Sequence, residues 1–237
     1  MKEANRDAPA VSGAHLDISS WEVMDAFQQR EACPFCALKA SLEEDFVAHY
    51  YDEMVMDDAY QGRILDQGLC REHLTRLERY PDRLGLALTL QTLLKRSQQL
   101  LATRNLAAVS QVDTCPACQW VEQELQRFLL TAAELFGQNP GFTAVFQQAQ
   151  PMCLAHLSAF AQVAQAHLRP PRRQQLLTAL ANKERAVLAE ISQGVEAFIR
   201  SYDYRQRRQP VDPKAVAAVA KALNLLRGSL ASRGNHA

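Results

Sequence analysis

The feature that most constrains this chain is the spacing of its cysteines. All six belong to one pattern that occurs twice, a C-P-x-C pair followed by a C-x-x-H pair, with 33 or 34 residues between the two pairs. The two copies are offset by 82 or 83 residues, and no cysteine is left over. Such a recurrence of soft ligands predicts two metal sites, each made of three cysteines and one histidine.

The expected ligands divide by copy. Those of the first copy are Cys33, Cys36, Cys70 and His73. Those of the second copy are Cys115, Cys118, Cys153 and His156. Each copy would close its own short loop, which costs less chain entropy than a grouping in which the copies exchange ligands. We therefore predict two bound ions per chain, one within each copy.

Zinc is the expected metal, because it is the common occupant of Cys3His sites, and four protein ligands leave no open position, as in structural zinc sites. An iron–sulfur cluster is the alternative cofactor. A thiol-based redox sensor is a second alternative, since the loop from Cys33 to Cys36 resembles the C-P-x-C loop of glutaredoxins. However, no strand signal follows either C-P-x-C pair, and redox chemistry gives the C-x-x-H pairs no role.

Composition indicates an ordinary globular protein. The chain has 237 residues, of which 48% are hydrophobic and 22% are charged. It shows neither a secretory signal nor a stretch of 18 apolar residues, so we expect no membrane segment and a cytoplasmic location, where thiols stay reduced. The formal net charge is zero, and we interpret its local charge runs as solvated helix faces, which makes a nucleic-acid partner unlikely on this pattern.

Helix signals dominate the sequence. Ser19 is expected to cap a first helix, and long helices are expected to open near Pro81-Asp82 and after Pro170-Pro171. Asp212-Pro213 predicts the start of a last helix. Each metal-binding pair also lies at an expected helix start. The sequence therefore predicts an all-α fold with metal sites at converging helix N-termini.

The copies extend beyond their ligands and define the expected organisation. We predict a disordered N-terminus at 1–17, a first helical metal-binding repeat at 18–110 and a second at 111–205. A basic linker and a C-terminal helix are expected at 206–237.

The arrangement resembles an uncharacterised bacterial protein family that has duplicated C-P-x-C and G-x-C-x-x-H pairs and a C-terminal Asp-Tyr-Arg motif. Here that motif is Asp203-Tyr204-Arg205, and Gly68 precedes the first C-x-x-H pair. In the second copy, Pro151-Met152 stands where the first copy has Gly68-Leu69. The resemblance supports the architecture and implies no activity.

No Walker loop, G-x-G-x-x-G, G-x-S-x-G or H-E-x-x-H motif is present in the sequence. We therefore expect a non-catalytic protein with an interaction or regulatory role and a protein partner. An enzyme with a pocket assembled from distant residues stays open at this point.

Overall fold

The computed structural model describes residues 18–30, 33–202 and 212–228. Within these ranges the chain forms ten α-helices and no strand, which confirms the all-α prediction. The helices are α1 (Ile18–Gln28), α2 (Pro34–His49), α3 (Asp58–Gln67), α4 (Arg71–Arg79), α5 (Arg83–Ala102), α6 (Pro116–Leu135), α7 (Pro140–Gln148), α8 (Leu154–His167), α9 (Pro170–Ser201) and α10 (Pro213–Arg227). A π-helical turn (Tyr50–Met54) continues α2, and a 3-10 turn (Leu106–Ala108) follows α5.

Polar side chains fix where several of these helices begin. The carboxylate of Asp57 accepts the backbone N–H groups of Ala59 and Tyr60 at the start of α3. Equivalent caps stand before other helices: Asp82 before α5, Asn139 before α7 and Asp212 before α10. Such caps satisfy N–H groups that have no partner within the helix. The helices expected near Pro81-Asp82 and at Asp212-Pro213 begin at Arg83 and Pro213, whereas α9 begins at Pro170 itself and not after Pro170-Pro171.

The first helix begins two residues earlier than expected. It starts at Ile18, so Ser19 lies in its first turn and is not its N-cap. Other expectations concern residues outside those described: the disorder expected at 1–17, the Asp203-Tyr204-Arg205 motif and most of the expected basic linker. In the described parts of the chain, no helix is both long enough and apolar enough to span a bilayer.

The described residues fall into two compact units. Unit 1 takes residues up to Leu38 and from Phe128 onward, and unit 2 runs from Lys39 to Arg127. These units do not follow the repeats of the sequence, because unit 1 joins the start of the first copy to most of the second. The repeat boundaries themselves stay a prediction.

Each unit has an aromatic core of its own. In unit 1 the core rings are Phe27, Phe35, Phe142, Phe146 and Phe160, with neighbouring centroids 5.0–6.4 Å apart. In unit 2 the ring of Tyr50 stacks near Phe46, and the Tyr50 hydroxyl lies 2.6 Å from the Thr89 hydroxyl. These cores hold the first turns of α2 and α8 in unit 1 and of α4 and α6 in unit 2.

Close packing in unit 1 gives a stability prediction. A Cβ added to Gly194 on α9 would lie 2.5 Å from the Cβ of Ala218 on α10. We expect Gly194→Ala to destabilise the chain by about 1–3 kcal/mol, because the two helices must move apart. Gly62→Ala on α3 is the matched control, since nothing lies within 4 Å of its added Cβ. That control should gain about 1 kcal/mol from helix propensity. Denaturant midpoints measure both changes, and equal midpoints for the two variants would contradict the packing argument.

Candidate metal centres

The eight cysteine and histidine side chains predicted as ligands form two clusters. Site 1, in unit 1, consists of Cys33, Cys36, Cys153 and His156. Site 2, in unit 2, consists of Cys70, His73, Cys115 and Cys118. Within each site the four possible ligand atoms all lie within 4.8 Å of one another. Each site thus has the expected Cys3His composition.

The predicted grouping of ligands by copy is wrong. Each site combines the C-P-x-C pair of one copy with the C-x-x-H pair of the other, so the copies exchange ligands. Cys36 and Cys153 are 117 residues apart in the chain, whereas Cys70 and Cys118 are 48 apart. The loop that site 2 closes, residues 70–118, lies within the longer loop that site 1 closes. Once site 2 has formed, fewer free residues are left in the longer loop. Because closure entropy grows only slowly with loop length, it costs little here and packing decides the grouping.

In every pair the first ligand directly precedes a helix and the second lies in the first turn of that helix. In site 1, Cys33 directly precedes α2 and Cys36 is in its first turn, while Cys153 is the N-cap of α8 and precedes His156 by three residues. Site 2 repeats this geometry at the starts of α4 and α6. The prediction that ligand pairs converge at helix N-termini is therefore confirmed. The N-terminal ends of the helix dipoles favour negative charge, which suits a cluster of thiolates.

Proline is well placed at two of these starts. Pro34 and Pro116 are the first residues of α2 and α6. A proline at the first helical position loses no hydrogen bond, because the N–H group there has no partner in the helix. The residue before a proline favours extended backbone, which places its side chain at the N-terminal end of the helix. This is how C-P-x-C places two sulfurs in one turn.

The distances in site 1 suit a single tetrahedral ion. Sγ of Cys36 lies 3.7 Å from Sγ of Cys153 and 3.3 Å from Nδ1 of His156. The same nitrogen is 3.6 Å from Sγ of Cys33 and 3.2 Å from Sγ of Cys153. Zinc–ligand bond lengths in a tetrahedron place two sulfurs about 3.8 Å apart and sulfur about 3.6 Å from nitrogen.

Site 2 has nearly the same geometry. Sγ of Cys70 lies 3.8 Å from Sγ of Cys118 and 3.1 Å from Nδ1 of His73. That nitrogen is 3.7 Å from Sγ of Cys115 and 3.4 Å from Sγ of Cys118. None of the six cysteines forms a disulfide, and the sulfur separations are far longer than a sulfur–sulfur bond of about 2.05 Å.

The far nitrogen of the site 2 histidine faces a buried carboxylate. Nε2 of His73 lies 2.8 Å from Oε2 of Glu43, and Nε of Arg76 lies 3.4 Å from the same oxygen. His73 is 2% exposed and Glu43 is 8% exposed. A carboxylate on the second ring nitrogen orients a metal-binding histidine and leaves Nδ1 for the ion. The interpretation of the charge runs as solvated helix faces is wrong for Glu43, because nothing in the sequence pattern separates this buried residue from its exposed neighbours.

These contacts shift the proton affinities of site 2 before any metal binds. Burial alone would lower the pKa of His73, but its hydrogen bonds with Cys115 and Glu43 outweigh burial and raise that pKa to about 10. Burial opposes ionisation of Cys115, yet the contact with His73 lowers the pKa of this thiol to about 6. A metal ion at Nδ1 must therefore displace a proton from the ring.

A carboxylate also supports site 1, in a different way. Oε1 of Glu184 on α9 accepts the backbone N–H of Met152 at 3.0 Å, just before Cys153. Glu184 is 3% exposed, and burial raises its pKa although this hydrogen bond lowers it. Burial lowers the pKa of His156, but Cys153 and Cys36 outweigh burial and raise it to about 9. Glu184 has no sequence signal that separates it from other helix glutamates.

The contact between Glu43 and His73 gives a prediction about site 2. We expect Glu43→Gln to weaken metal binding at site 2 by about 10- to 100-fold, because the histidine loses its charged partner. Glu44→Gln is the matched control on the same helix, since Glu44 is exposed. Competition with a metal indicator, in chains whose site 1 stays loaded, measures the affinity. Equal affinities for the two variants would rule out the positioning role of Glu43.

The chain was also compared with known proteins. The family model described as a family of unknown function (DUF6062) matches it twice, at residues 15–112 and 101–233. The two matches confirm the predicted duplication and the resemblance to an uncharacterised family. No curated protein matches this chain, and no solved structure does.

Proposed function

The chain belongs to DUF6062, a family of unknown function, and we propose that it binds two structural zinc ions, one at each site. The observation that carries this proposal is the geometry of the four donor atoms in each site. Their separations agree with the edges of a zinc tetrahedron, at two places in one chain. The ions would hold pairs of helix starts together.

Two features of the donors favour zinc over an iron–sulfur cluster. Each site offers one histidine nitrogen and three sulfurs, a frequent combination at structural zinc sites. A cluster spreads its ligands over two or more iron atoms, whereas here all four donor atoms lie within 4.8 Å of one another. One ion of ordinary size satisfies that spacing.

The closed ligand set argues for a structural role and against catalysis. Catalytic zinc sites keep a position for water or substrate beside three protein ligands. Each site here supplies four. We therefore propose a non-catalytic protein whose role is interaction or regulation, with a protein as its partner. A bacterial origin and a cytoplasmic location, where thiols stay reduced, belong to the same proposal.

A thiol-based redox sensor is the second candidate, and one observation favours it. The side chain of Cys118 is exposed, so an oxidant has access to one sulfur of site 2. Oxidation of zinc-bound thiolates releases the metal. Reducing agents regenerate the thiolates, which can then bind zinc again. Loss of zinc with mild peroxide, at a peroxide concentration that leaves the fold intact, would support the sensor over a purely structural role.

Elemental analysis of the freshly purified full chain tests the main proposal. We expect two equivalents of zinc per chain and few thiols that react with a disulfide reagent until a denaturant and a chelator are added. Iron with a brown colour on anaerobic purification would favour the cluster instead. Six reactive thiols with neither zinc nor iron, also after refolding with added zinc, would contradict the metal proposal.

A further inference from the structure

Site 2 has a buried side and an open side. His73 and Cys115 are 2% and 5% exposed and form the buried side. Cys118 is exposed and Cys70 is half-buried, and they form the open side. The two open sulfurs come from different helices, α4 and α6, and lie 3.8 Å apart. A ligand that approaches from this side meets sulfur without any movement of the core.

A cavity of about 720 Å³ adjoins the open side. The three cysteines of site 2 are among the residues that line it, together with the exposed charged residues Lys39, Asp113 and Glu122. A volume of this size is within the usual range for small-molecule sites. The cavity therefore gives a small ligand room to stand beside the sulfurs of site 2.

Site 1 is less exposed, although a cavity of about 380 Å³ adjoins it and Cys33 and Cys153 are among the residues that line that cavity. Cys33 and Cys153 are 5% and 2% exposed. Gly228, which ends α10 with a φ of +85°, lies against the cluster: a Cβ built on it would stand 3.4 Å from Sγ of Cys36 and 3.7 Å from Sγ of Cys153. The backbone at the end of α10 thus covers two sulfurs of site 1. No sulfur of site 1 is as accessible as that of Cys118.

We propose that site 2 is a metal-exchange site, which passes its ion to a small thiol ligand through the adjoining cavity, while site 1 retains its ion. This inference rests on the proposed function, that both sites bind zinc. The retained ion of site 1 and the exchangeable ion of site 2 would then be two outcomes of one duplicated ligand pattern.

The exchange step conserves atoms, charge and oxidation state. The exposed thiolate of Cys118 would be the first ligand that an incoming thiol replaces, and it would take up the proton that this thiol releases. Cys70 would be the second, in the same way. His73 and Cys115 would be the last ligands of the ion, because they are buried and because Glu43 keeps the ring of His73 in place.

Metal release from the zinc-loaded full chain tests this inference. Reduced glutathione serves as the thiol ligand, and 4-(2-pyridylazo)resorcinol reports the released zinc. We expect two phases of one zinc each, with rates about tenfold or more apart, which corresponds to a modest difference in activation barrier. A matched pair of variants assigns them: Cys70→Ser should lose the fast phase, and Cys153→Ser should lose the slow phase.

The native chain provides a second readout that needs no variant. Under brief treatment with N-ethylmaleimide, whose double bond adds the thiolate sulfur and then a proton from water, mass spectrometry should find Cys118 modified first. Cys36 is the control, because it holds the same position in its own C-P-x-C pair.

The other possible results separate the metal-exchange inference from the proposed function. A chain with two zinc ions that releases both in one phase, or that has Cys36 modified before Cys118, overturns the inference and leaves the proposed function standing. A chain that holds no zinc at the start overturns the proposed function itself.

Discussion

The double variant Cys36→Ser/Cys153→Ser should keep one zinc ion per chain, whereas Cys36→Ser/Cys70→Ser should keep none. The first variant removes two ligands from site 1 and leaves site 2 intact. The second removes one ligand from each site. A neutral serine hydroxyl is a far weaker zinc ligand than a thiolate, so loss of one thiolate should empty a site under competition with a chelator. Elemental analysis after gel filtration gives the count.

The two double variants control for each other. Each lacks two cysteines, and they share the Cys36 replacement, so general effects of thiol loss are equal in both. Ligands grouped within copies would reverse the result, because Cys36 and Cys70 would then belong to one site and Cys36 and Cys153 to two. One zinc in Cys36→Ser/Cys70→Ser and none in the other variant would therefore contradict the exchange of ligands between copies.

Removal of both ions should loosen the chain without unfolding it completely. Structural zinc contributes folding free energy directly, and a chain of this size keeps much of its apolar core when the ion is gone. A decrease of about 5 kcal/mol in the free energy of unfolding would lower the melting temperature by about 10–20 °C. Calorimetry of the full chain before and after treatment with a strong chelator measures the shift, and added zinc should reverse it.

Amide hydrogen exchange should show where the chain loosens. We expect protection to fall first at the first turns of α2, α4, α6 and α8, which carry the ligands. The first turns of α3 and α7 are internal controls, because the side chains of Asp57 and Asn139 cap them without metal. Complete metal removal with an unchanged melting temperature and unchanged exchange at the four ligand-bearing turns would show that the ions are not structural.

The all-α fold and the eight candidate ligands could be predicted from sequence because both follow from local patterns. A proline after a cysteine, or an aspartate before a helical stretch, acts within one turn, and such turns form as expected at Pro34, Asp82 and Asp212. The cysteine spacing marks donors of the right kind wherever they lie in the fold. Periodicity and capping therefore predicted the helices, and the cysteine spacing predicted the ligand types.

The grouping of the ligands could not be predicted in this way, because it depends on which helices pack together. Phe35 lies beside Cys36 in sequence, and its ring lies 6.1 Å from that of His156 and 5.1 Å from that of Phe160 on α8. Phe46 on α2 lies 5.6 Å from the ring of His73 in the same way. These contacts join residues far apart in the chain, and the spacing within each copy does not predict them.

The supporting residues escaped prediction for the same reason. Glu43 and Glu184 are ordinary helix glutamates in the sequence, and only burial makes them partners of the sites. Gly228 has the left-handed backbone typical of a glycine that ends a helix, but its place beside two sulfurs depends on how α10 packs.

The exchange of ligands between copies is the central claim, and cadmium-113 NMR of the cadmium-loaded native chain tests it most directly. Proton–cadmium correlations identify the cysteines bound to each ion without any substitution. One cadmium should correlate with Cys33, Cys36 and Cys153, and the other with Cys70, Cys115 and Cys118. Correlation of one ion with Cys33, Cys36 and Cys70 would contradict the account.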